Sequence, residues 1–136
     1  MIDLTTELGV RAAKRLKDEH IVWLTTVSPA ATPQPNPVWF YWDGNELLIY
    51  SQPSAHKLGN IAHNPMVSLN FHADEEGGDV IVLTGTAVLE KNPARHDPRY
   101  IQKYRDEIPK IGLTPESFAA SYRVSIKVSP DKLRGF

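Results

Sequence analysis

Apolar and polar residues alternate along much of the chain, which predicts a mainly β protein. Strand-favouring runs occupy six stretches, residues 21–27, 33–42, 46–50, 66–71, 80–89 and 122–128. Between the second and third runs, Asp43-Gly44 is typical of a hairpin turn. Gly85 interrupts the fifth run and indicates a bulge of the kind that lets a sheet curl. We therefore expect a small antiparallel barrel with short helices at one end and across the gaps between strands.

Helical spacing of apolar residues and capping signals predict four short helices outside the strands. Their expected spans run from Thr5 or Thr6 to about His20, from Ser54 to Asn64, over about 97–106, and onward from Thr114-Pro115. Asn92-Pro93 is expected to end the fifth strand before the third helix begins. Proline at the first helical position supports the start of the fourth helix.

The second predicted strand carries prolines at alternate positions, Pro33, Pro35 and Pro37, which cannot donate hydrogen bonds to a neighbouring strand. This half of the strand is therefore predicted to be a sheet edge or a bulged segment. A free edge beside a pocket can bind a planar heterocycle, and equally the prolines can serve only to prevent edge-to-edge aggregation. Large apolar residues then occupy both faces, with Val38, Phe40 and Trp42 alternating with Trp39 and Tyr41. Burial on both faces favours a strand between a barrel interior and a subunit interface.

The second predicted helix begins directly after a strand and indicates an anion-binding site. Ser54 is the expected N-cap, which places His56 and Lys57 in the first turn. Free backbone N–H groups and the helix dipole attract anions there, and the lysine adds a full charge where carboxylates are normally preferred. Asn60 and Asn64 follow at helical spacing, so an ammonium and an amide can meet one ligand. The alternative is a solvated surface helix on which Lys57 points at water.

Composition narrows the classes of function. The 136 residues are predicted to form one domain, 1–136. Lys and Arg number 15 against 16 Asp and Glu, and the net charge of −1 leaves no basic surplus to neutralise nucleic-acid phosphates. The sequence has no cysteine, which excludes disulfide and thiol chemistry. No apolar run is long enough to span a bilayer and no signal-peptide pattern opens the sequence, so we expect a soluble, cytoplasmic protein.

Catalytic and metal-binding signatures are missing from the sequence. The five histidines stand singly, without a pair at ligand spacing on one helix. The carboxylates within 74–79 lack the alternating ligands of a calcium loop. No glycine-rich phosphate loop and no Gly-x-Ser-x-Gly motif occurs. We therefore expect no metal site, and any chemistry would belong to a bound cofactor.

Several short motifs follow one another in a specific order. They are Thr32–Phe40, Asp43-Gly44, Ser51–Asn60, Asn64–Leu69, and Gly85-Thr86-Ala87 with Glu90. In this order they resemble the flavin/deazaflavin split-barrel superfamily, the group of pyridoxamine-phosphate-oxidase-like proteins. Within that group the chain is most similar to the small actinobacterial proteins that use the deazaflavin coenzyme F-420.

The resemblance implies a six-stranded antiparallel split barrel that binds its cofactor at the interface of a homodimer. The implied activity is transfer of a hydride from reduced coenzyme F-420 to a small conjugated or ring-containing acceptor, with no side chain that stands out as an acid or base. The residues implied to hold the phosphate end are Lys57, Asn60, Ser51, Gln52 and His56, and those implied to lie along the ring are Pro37, Val38 and Trp39. Two alternatives remain open, an FMN-dependent flavin reductase and a non-catalytic carrier of flavin or deazaflavin.

The chain departs from the family pattern at two places. Many members have an arginine two residues before the lysine, and here that position is Ala55, which puts the affinity for the cofactor tail or the charge of that tail in question. The sequence closes on Leu133-Arg134-Gly135-Phe136, without the longer Trp- and Arg-containing tail by which pyridoxamine phosphate oxidases hold their substrate. We therefore do not expect that particular oxidase activity.

Overall fold

One antiparallel sheet of seven strands forms the body of the protein over the residues that the computed structural model describes, 1–91 and 95–136. The strands are β1 (Val22–Val27), β2 (Pro33–Val38), β3 (Tyr41–Trp42), β4 (Leu47–Ser51), β5 (Met66–Asn70), β6 (Ile81–Lys91) and β7 (Val124–Gly135). They lie in the order β2-β1-β5-β6-β7-β4-β3. The helices are α1 (Glu7–Asp18), α2 (His56–His63), α3 (Pro98–Lys103) and α4 (Pro115–Ser121), with a 3-10 turn at Pro109–Ile111.

The sheet curls so far that its two edges nearly meet. Its edge strands, β2 and β3, are joined by Trp39 and Phe40 alone. Two linking residues span at most roughly 11 Å between the flanking Cα atoms, whereas the edges of a flat seven-stranded sheet would lie roughly 29 Å apart. The predicted mainly β barrel with short helices is confirmed, and the curled sheet has the form of a split barrel. The predicted count of six strands is wrong, because the second predicted strand is two strands, β2 and β3.

A tyrosine from a distant helix explains why the second strand breaks at Phe40. The Tyr104 hydroxyl accepts a hydrogen bond from Phe40 N at 2.8 Å and lies 2.9 Å from Phe40 O and 2.7 Å from His20 O, to either of which it can donate. The Lys103 ammonium also donates to Phe40 O at 2.8 Å. Side chains therefore satisfy the backbone of Phe40, which is fully buried and makes no ladder bonds.

The proline-rich half of the second predicted strand lies at the edge of the sheet, as predicted. β2 pairs only with β1, and Pro35 and Pro37 lie opposite Thr25 and Trp23. Positions 33–37 are exposed, whereas Val38 is buried. The prolines therefore leave one side of β2 without N–H donors at alternate residues, next to the point where the chain crosses from one sheet edge to the other.

The longest strand pair, β6 with β7, contains the bulge predicted at Gly85. The register shifts between Thr84 and Gly85, which face Lys132 and Pro130 respectively. A Cβ atom on Gly85 would lie 2.3 Å from Ser129 O, so only glycine permits this approach of the two backbones. β7 continues to Gly135, past the predicted end at residue 128. Pro130 lies at the bulge, opposite Gly85, where its missing N–H is tolerated.

Two apolar cores lie on the two sides of the sheet. The inner core fills the barrel and includes Leu16 of α1, Leu24, Phe40, Ile49, Leu69, Leu83 and Ile126. The second is an aromatic cluster of Tyr50, Tyr100, Tyr104, Ile108 and Phe118, with Trp39, Tyr41 and Tyr122 packed against it. α3, the 3-10 turn and α4 thus cover the outer side of Trp39 and Tyr41, which the sequence had suggested a second subunit would cover.

Capping places the helices close to their predicted positions. The Thr6 hydroxyl caps α1 by accepting from Gly9 N at 2.9 Å. Thr114 and Ser117 form a reciprocal capping box on α4. The expected N-cap of α2 is wrong, since the cap position is Ala55 and Ser54 belongs to the preceding turn. The predicted break at Asn92-Pro93 lies outside the described residues. Among the described helices, none is long and apolar enough to cross a membrane.

Candidate functional site

A cavity of about 380 Å³ opens where the end of β2, the end of β4 and the start of α2 meet the helical segment that follows β6. Its lining includes six of the residues predicted to hold a cofactor, Pro37, Val38, Trp39, Ser51, Gln52 and Lys57. The volume lies in the range of small-molecule sites. Two separate stretches of sequence are therefore brought to one cavity, one from the end of the edge strand β2 and one from the end of β4 and the start of α2.

Two of the predicted site residues do not line this cavity. His56 is exposed in the first turn of α2. Asn60 is buried, and its Nδ2 atom donates to Thr26 Oγ1 at 3.0 Å and to Gln34 Oε1 at 2.7 Å. Because these bonds tie α2 to β1 and β2, the Asn60 amide does not share a ligand-facing surface with Lys57. The expectation of a common ammonium and amide face is thus not met by the structure.

The first turn of α2 has the features of an anion site. Ala55 provides no side-chain cap, and the turn contains no acidic residue. Ala55 N donates to Gln52 O and Leu58 N donates to Ala55 O, so the N–H groups of His56 and Lys57 remain available at the positive end of the helix dipole. Lys57 lies in the same turn and lines the cavity. Ala55 and Lys57 line this end of the cavity, where the donors are the Lys57 ammonium and the free N–H groups of the turn.

The Lys57 ammonium is half-buried without an acidic partner among the described residues. Burial lowers the pKa of Lys57, and no carboxylate acts against that effect. A desolvated cation without a counter-ion costs the folded state free energy. An anion in the cavity would remove that cost. Buried charges in proteins are usually paired. The Lys57 ammonium has no such partner among the described residues, and this favours the binding of an anionic ligand.

Aromatic rings form the opposite wall of the cavity. Trp39 stacks on Tyr104 with ring centroids 4.6 Å apart and an interplanar angle of 3°, and on Phe118 at 5.7 Å and 29°. It is half-buried, so the ring belongs both to the cavity wall and to the aromatic cluster. The family resemblance implies that Trp39 lies along the cofactor ring, and the structure places it at the border between the cavity and the aromatic cluster.

Four wall residues were missed by sequence reasoning: Tyr50, Tyr100, Phe118 and Tyr122. Three of them come from the segment between β6 and β7, far in sequence from the recognised motifs. The sequence does contain an indication of this wall. Aromatic residues are more frequent between positions 100 and 122 than a pair of short surface helices would require. Burial raises the pKa of both Tyr50 and Tyr100.

The described residues contain no group of three or more His, Cys, Asp or Glu side chains placed to hold a metal ion.

The curled seven-stranded sheet, with a cavity beside the crossing between its edges, defines a split-barrel protein. The chain belongs to the pyridoxamine 5'-phosphate oxidase family, whose sequence profile matches residues 10–136. The family resemblance found in the motifs is thereby confirmed. No curated protein matches the sequence.

Solved structures share this fold over nearly the whole chain. An F420 reductase has a TM-score of 0.69 and 25% identity, covering 89% of this chain and 94% of its own. A candidate pyridoxamine 5'-phosphate oxidase from Listeria innocua also has a TM-score of 0.69 and 25% identity, with coverages of 94% and 97%. HutZ, the heme storage protein from Vibrio cholerae, has a TM-score of 0.66 and 14% identity, with coverages of 96% and 95%. At that identity HutZ shows the fold alone.

Proposed function

We propose that the protein is an oxidoreductase that holds coenzyme F-420 in this cavity and serves hydride transfer to a small conjugated or ring-containing acceptor. The observation that carries the proposal is the half-buried Lys57, without an acidic partner among the described residues, at the uncapped start of α2. The similarity to an F420 reductase over 89% of the chain supports a deazaflavin as the cofactor.

The residues of the cavity fit such a cofactor in polarity. One end presents Ser51, Gln52, Lys57 and backbone N–H groups, which suit a phosphate. The other end is aromatic and apolar, which suits a flat ring system. Lys57, Ser51 and Gln52 would hold the phosphate, and Pro37, Val38 and Trp39 would lie along the ring. When bound, the reduced deazaflavin supplies the hydride.

The chain itself would contribute binding, orientation and exclusion of water. Among the described residues that line the cavity, Lys57 is the one charged side chain, and no carboxylate or histidine is present. The raised pKa values of Tyr50 and Tyr100 keep both hydroxyls protonated at neutral pH. Neither tyrosine is therefore a base for the reaction, and a proton needed by the acceptor would come from solvent.

The test is cofactor retention followed by turnover. Purified protein is mixed with coenzyme F-420 or with FMN, desalted, and examined by absorbance. We expect F-420 to be retained and its reduced form to be oxidised when an acceptor is offered. Retention of FMN alone would replace the proposal with the flavin reductase alternative, and retention of F-420 without turnover over a broad acceptor panel would indicate a carrier. Retention of neither cofactor would overturn the proposal.

Replacement of Trp39 tests the ring end of the cavity. Trp39→Ala is expected to weaken F-420 binding roughly 2- to 12-fold, since aromatic stacking contributes about 0.5–1.5 kcal/mol. Trp39→Phe retains a ring against Tyr104 and Phe118, so its melting temperature should stay closer to that of the wild type. Ligand should also quench wild-type tryptophan fluorescence. If both variants bind F-420 as tightly as the wild type and the ligand does not change the wild-type tryptophan fluorescence, Trp39 is a core residue only.

We also propose a homodimer with cofactor sites at its interface. The aromatic cluster no longer supports this, because the chain covers it. Two exposed isoleucines on the cavity lining do support it, Ile21 at 37% and Ile111 at 47% of full exposure. Light scattering at micromolar concentration should give twice the chain mass of 15.3 kDa. A monomer mass, unchanged by added cofactor, would contradict the dimer.

A further inference from the structure

His96 lies behind the aromatic wall and contacts every member of it that sequence reasoning missed. Its ring stacks on Tyr50 with centroids 3.7 Å apart and an interplanar angle of 17°. Its edge faces Phe118 at 5.2 Å and Tyr100 at 6.3 Å. Its Nε2 atom lies 2.6 Å from the carbonyl oxygen of Tyr122. One imidazole thus connects four wall residues that come from β4, α3 and the end of α4.

The hydrogen bond to Tyr122 determines which form of the ring fits this place. A carbonyl oxygen only accepts, so Nε2 carries the proton and donates it, and Nδ1 of the neutral ring holds a lone pair. His96 is 6% exposed, and among the described residues its buried Nδ1 has no hydrogen-bond partner. Protonation would add an N–H there, and no described residue accepts a hydrogen bond from that atom. The protonated ring would thus place an unpaired buried donor in the wall, which disfavours that form.

The charged and titratable groups around His96 do not supply that acceptor in the structure. Those facing it or sharing the adjoining cavity are Tyr50 on β4, Glu90 on β6, Lys127 on β7, Arg95 and Asp97 beside it, Tyr100 on α3 and Tyr122 after α4. The Asp97 carboxylate pairs with Arg99 at 2.8 Å. Glu90 and Lys127 carry opposite charges, so their fields on the imidazole oppose each other. Burial is the dominant influence, and it lowers the pKa of His96.

We propose that His96 is a positioning residue of the cavity, whose neutral form holds the four-residue wall together and whose protonation releases the wall and weakens ligand binding. The ligand part rests on the proposed function, whereas the state of the wall is a property of the protein alone. Below the His96 pKa, a ligand that binds only the neutral form loses about tenfold in affinity per pH unit. Since burial lowers that pKa, the loss begins below the ordinary histidine range.

The ligand test compares three proteins between pH 7.5 and pH 5. The dissociation constant of coenzyme F-420 is measured by titration calorimetry for wild type, His96→Gln and His63→Gln. A glutamine amide can still donate to Tyr122 O but does not titrate, whereas His63 is exposed on α2 and serves as the matched control. We expect the affinities of wild type and His63→Gln to fall as the pH falls through the His96 pKa. His96→Gln lacks the ring contacts and is expected to bind more weakly at pH 7.5, but without this fall. Protonation of the ligand itself affects all three proteins equally, so it cancels in the ratios of their dissociation constants.

A second measurement needs no ligand. Proton NMR of the cofactor-free wild type follows the histidine ring signals and the shifted ring signals of the aromatic cluster over the same pH range. We expect the NMR signals of the wall residues to shift with the same pH midpoint as the His96 ring signals. Comparison with the His96→Gln spectrum identifies which ring signals belong to His96. If the wall signals do not move with that midpoint, or if the affinity ratio of wild type to His96→Gln is constant with pH, the proposal is overturned. Absence of F-420 binding at every pH removes the proposed function alone, and the NMR result still decides the role of His96.

Discussion

Replacing Lys57 by alanine is expected to weaken binding of coenzyme F-420 roughly 10- to 150-fold, because a hydrogen bond to a charged group contributes about 1.5–3 kcal/mol. The loss should shrink as salt rises, since salt screens a partly exposed charge pair over a Debye length of about 8 Å at physiological ionic strength. A cofactor fragment that contains only the deazaflavin ring and its polyol should bind both proteins equally. Calorimetry with both ligands at two salt concentrations measures these differences.

The control for this variant is Lys132→Ala, which removes an exposed lysine on β7 that does not line the cavity. It changes the net charge by the same amount, so any general effect of charge on an anionic ligand appears there as well. Equal affinity of Lys57→Ala and wild type for both F-420 and FMN would remove Lys57 from the site. The uncapped start of α2 would then be an ordinary helix end.

The pH dependence of Lys57→Ala should separate binding from folding. Burial lowers the pKa of Lys57 in the folded, ligand-free protein. Affinity for an anion is therefore full below that lowered pKa and falls as the pH rises through it, and the variant should lack this fall. Because the unfolded chain keeps the ordinary, higher pKa, the charged form disfavours the folded state at neutral pH. Lys57→Ala should thus melt at or slightly above the wild-type temperature, with alanine also favouring the helix.

Removing one hydroxyl by Tyr104→Phe is expected to destabilise the fold by about 2–3 kcal/mol, since a hydrogen bond is lost and the buried N–H of Phe40 is left without an acceptor. For a domain of this size the melting temperature should fall by roughly 6–15 °C. The aromatic stacking with Trp39 is retained, so the loss isolates the hydroxyl. Thermal unfolding followed by circular dichroism measures it.

Tyr122→Phe is the matched control for the Tyr104 variant. It removes a tyrosine hydroxyl from the same aromatic cluster, and that hydroxyl bonds to no other described side chain or backbone group. Its melting temperature should stay near that of the wild type. If the two variants have the same melting temperature, the Tyr104 hydroxyl does not anchor Phe40, and the break between β2 and β3 has another cause.

The features predicted correctly from sequence are those whose cause is local. Asp43 Oδ1 accepts from Asn45 N and Glu46 N at 2.8 Å, so the hairpin is specified by its own turn residues. The edge position of β2 follows from its prolines, and the bulge follows from Gly85. Thr6 caps α1 through a residue three positions away.

The features missed depend on partners far away in sequence. Phe40 leaves the strand because of a hydroxyl 64 residues later. Asn60 turns from the predicted site toward Thr26 and Gln34, 34 and 26 residues earlier. Neither partner could be identified from local spacing. Similarly, the predicted cavity residues come from two short continuous stretches, whereas the missed aromatic wall comes from a segment whose packing only the tertiary structure shows.

The position of β7 in the sheet has a consequence for synthesis of the chain. β7 pairs with β6 on one side and β4 on the other, so it joins the sheet β2-β1-β5-β6 to the hairpin β3-β4. At 5–20 residues per second, the 32 residues between Lys91 and Val124 take roughly 2–6 s to translate. During that interval the edges of β4 and β6 lack their shared partner, and the nascent chain exposes two strand edges that can pair with other chains. Chaperone protection of these two edges during those seconds would therefore raise the yield of folded protein.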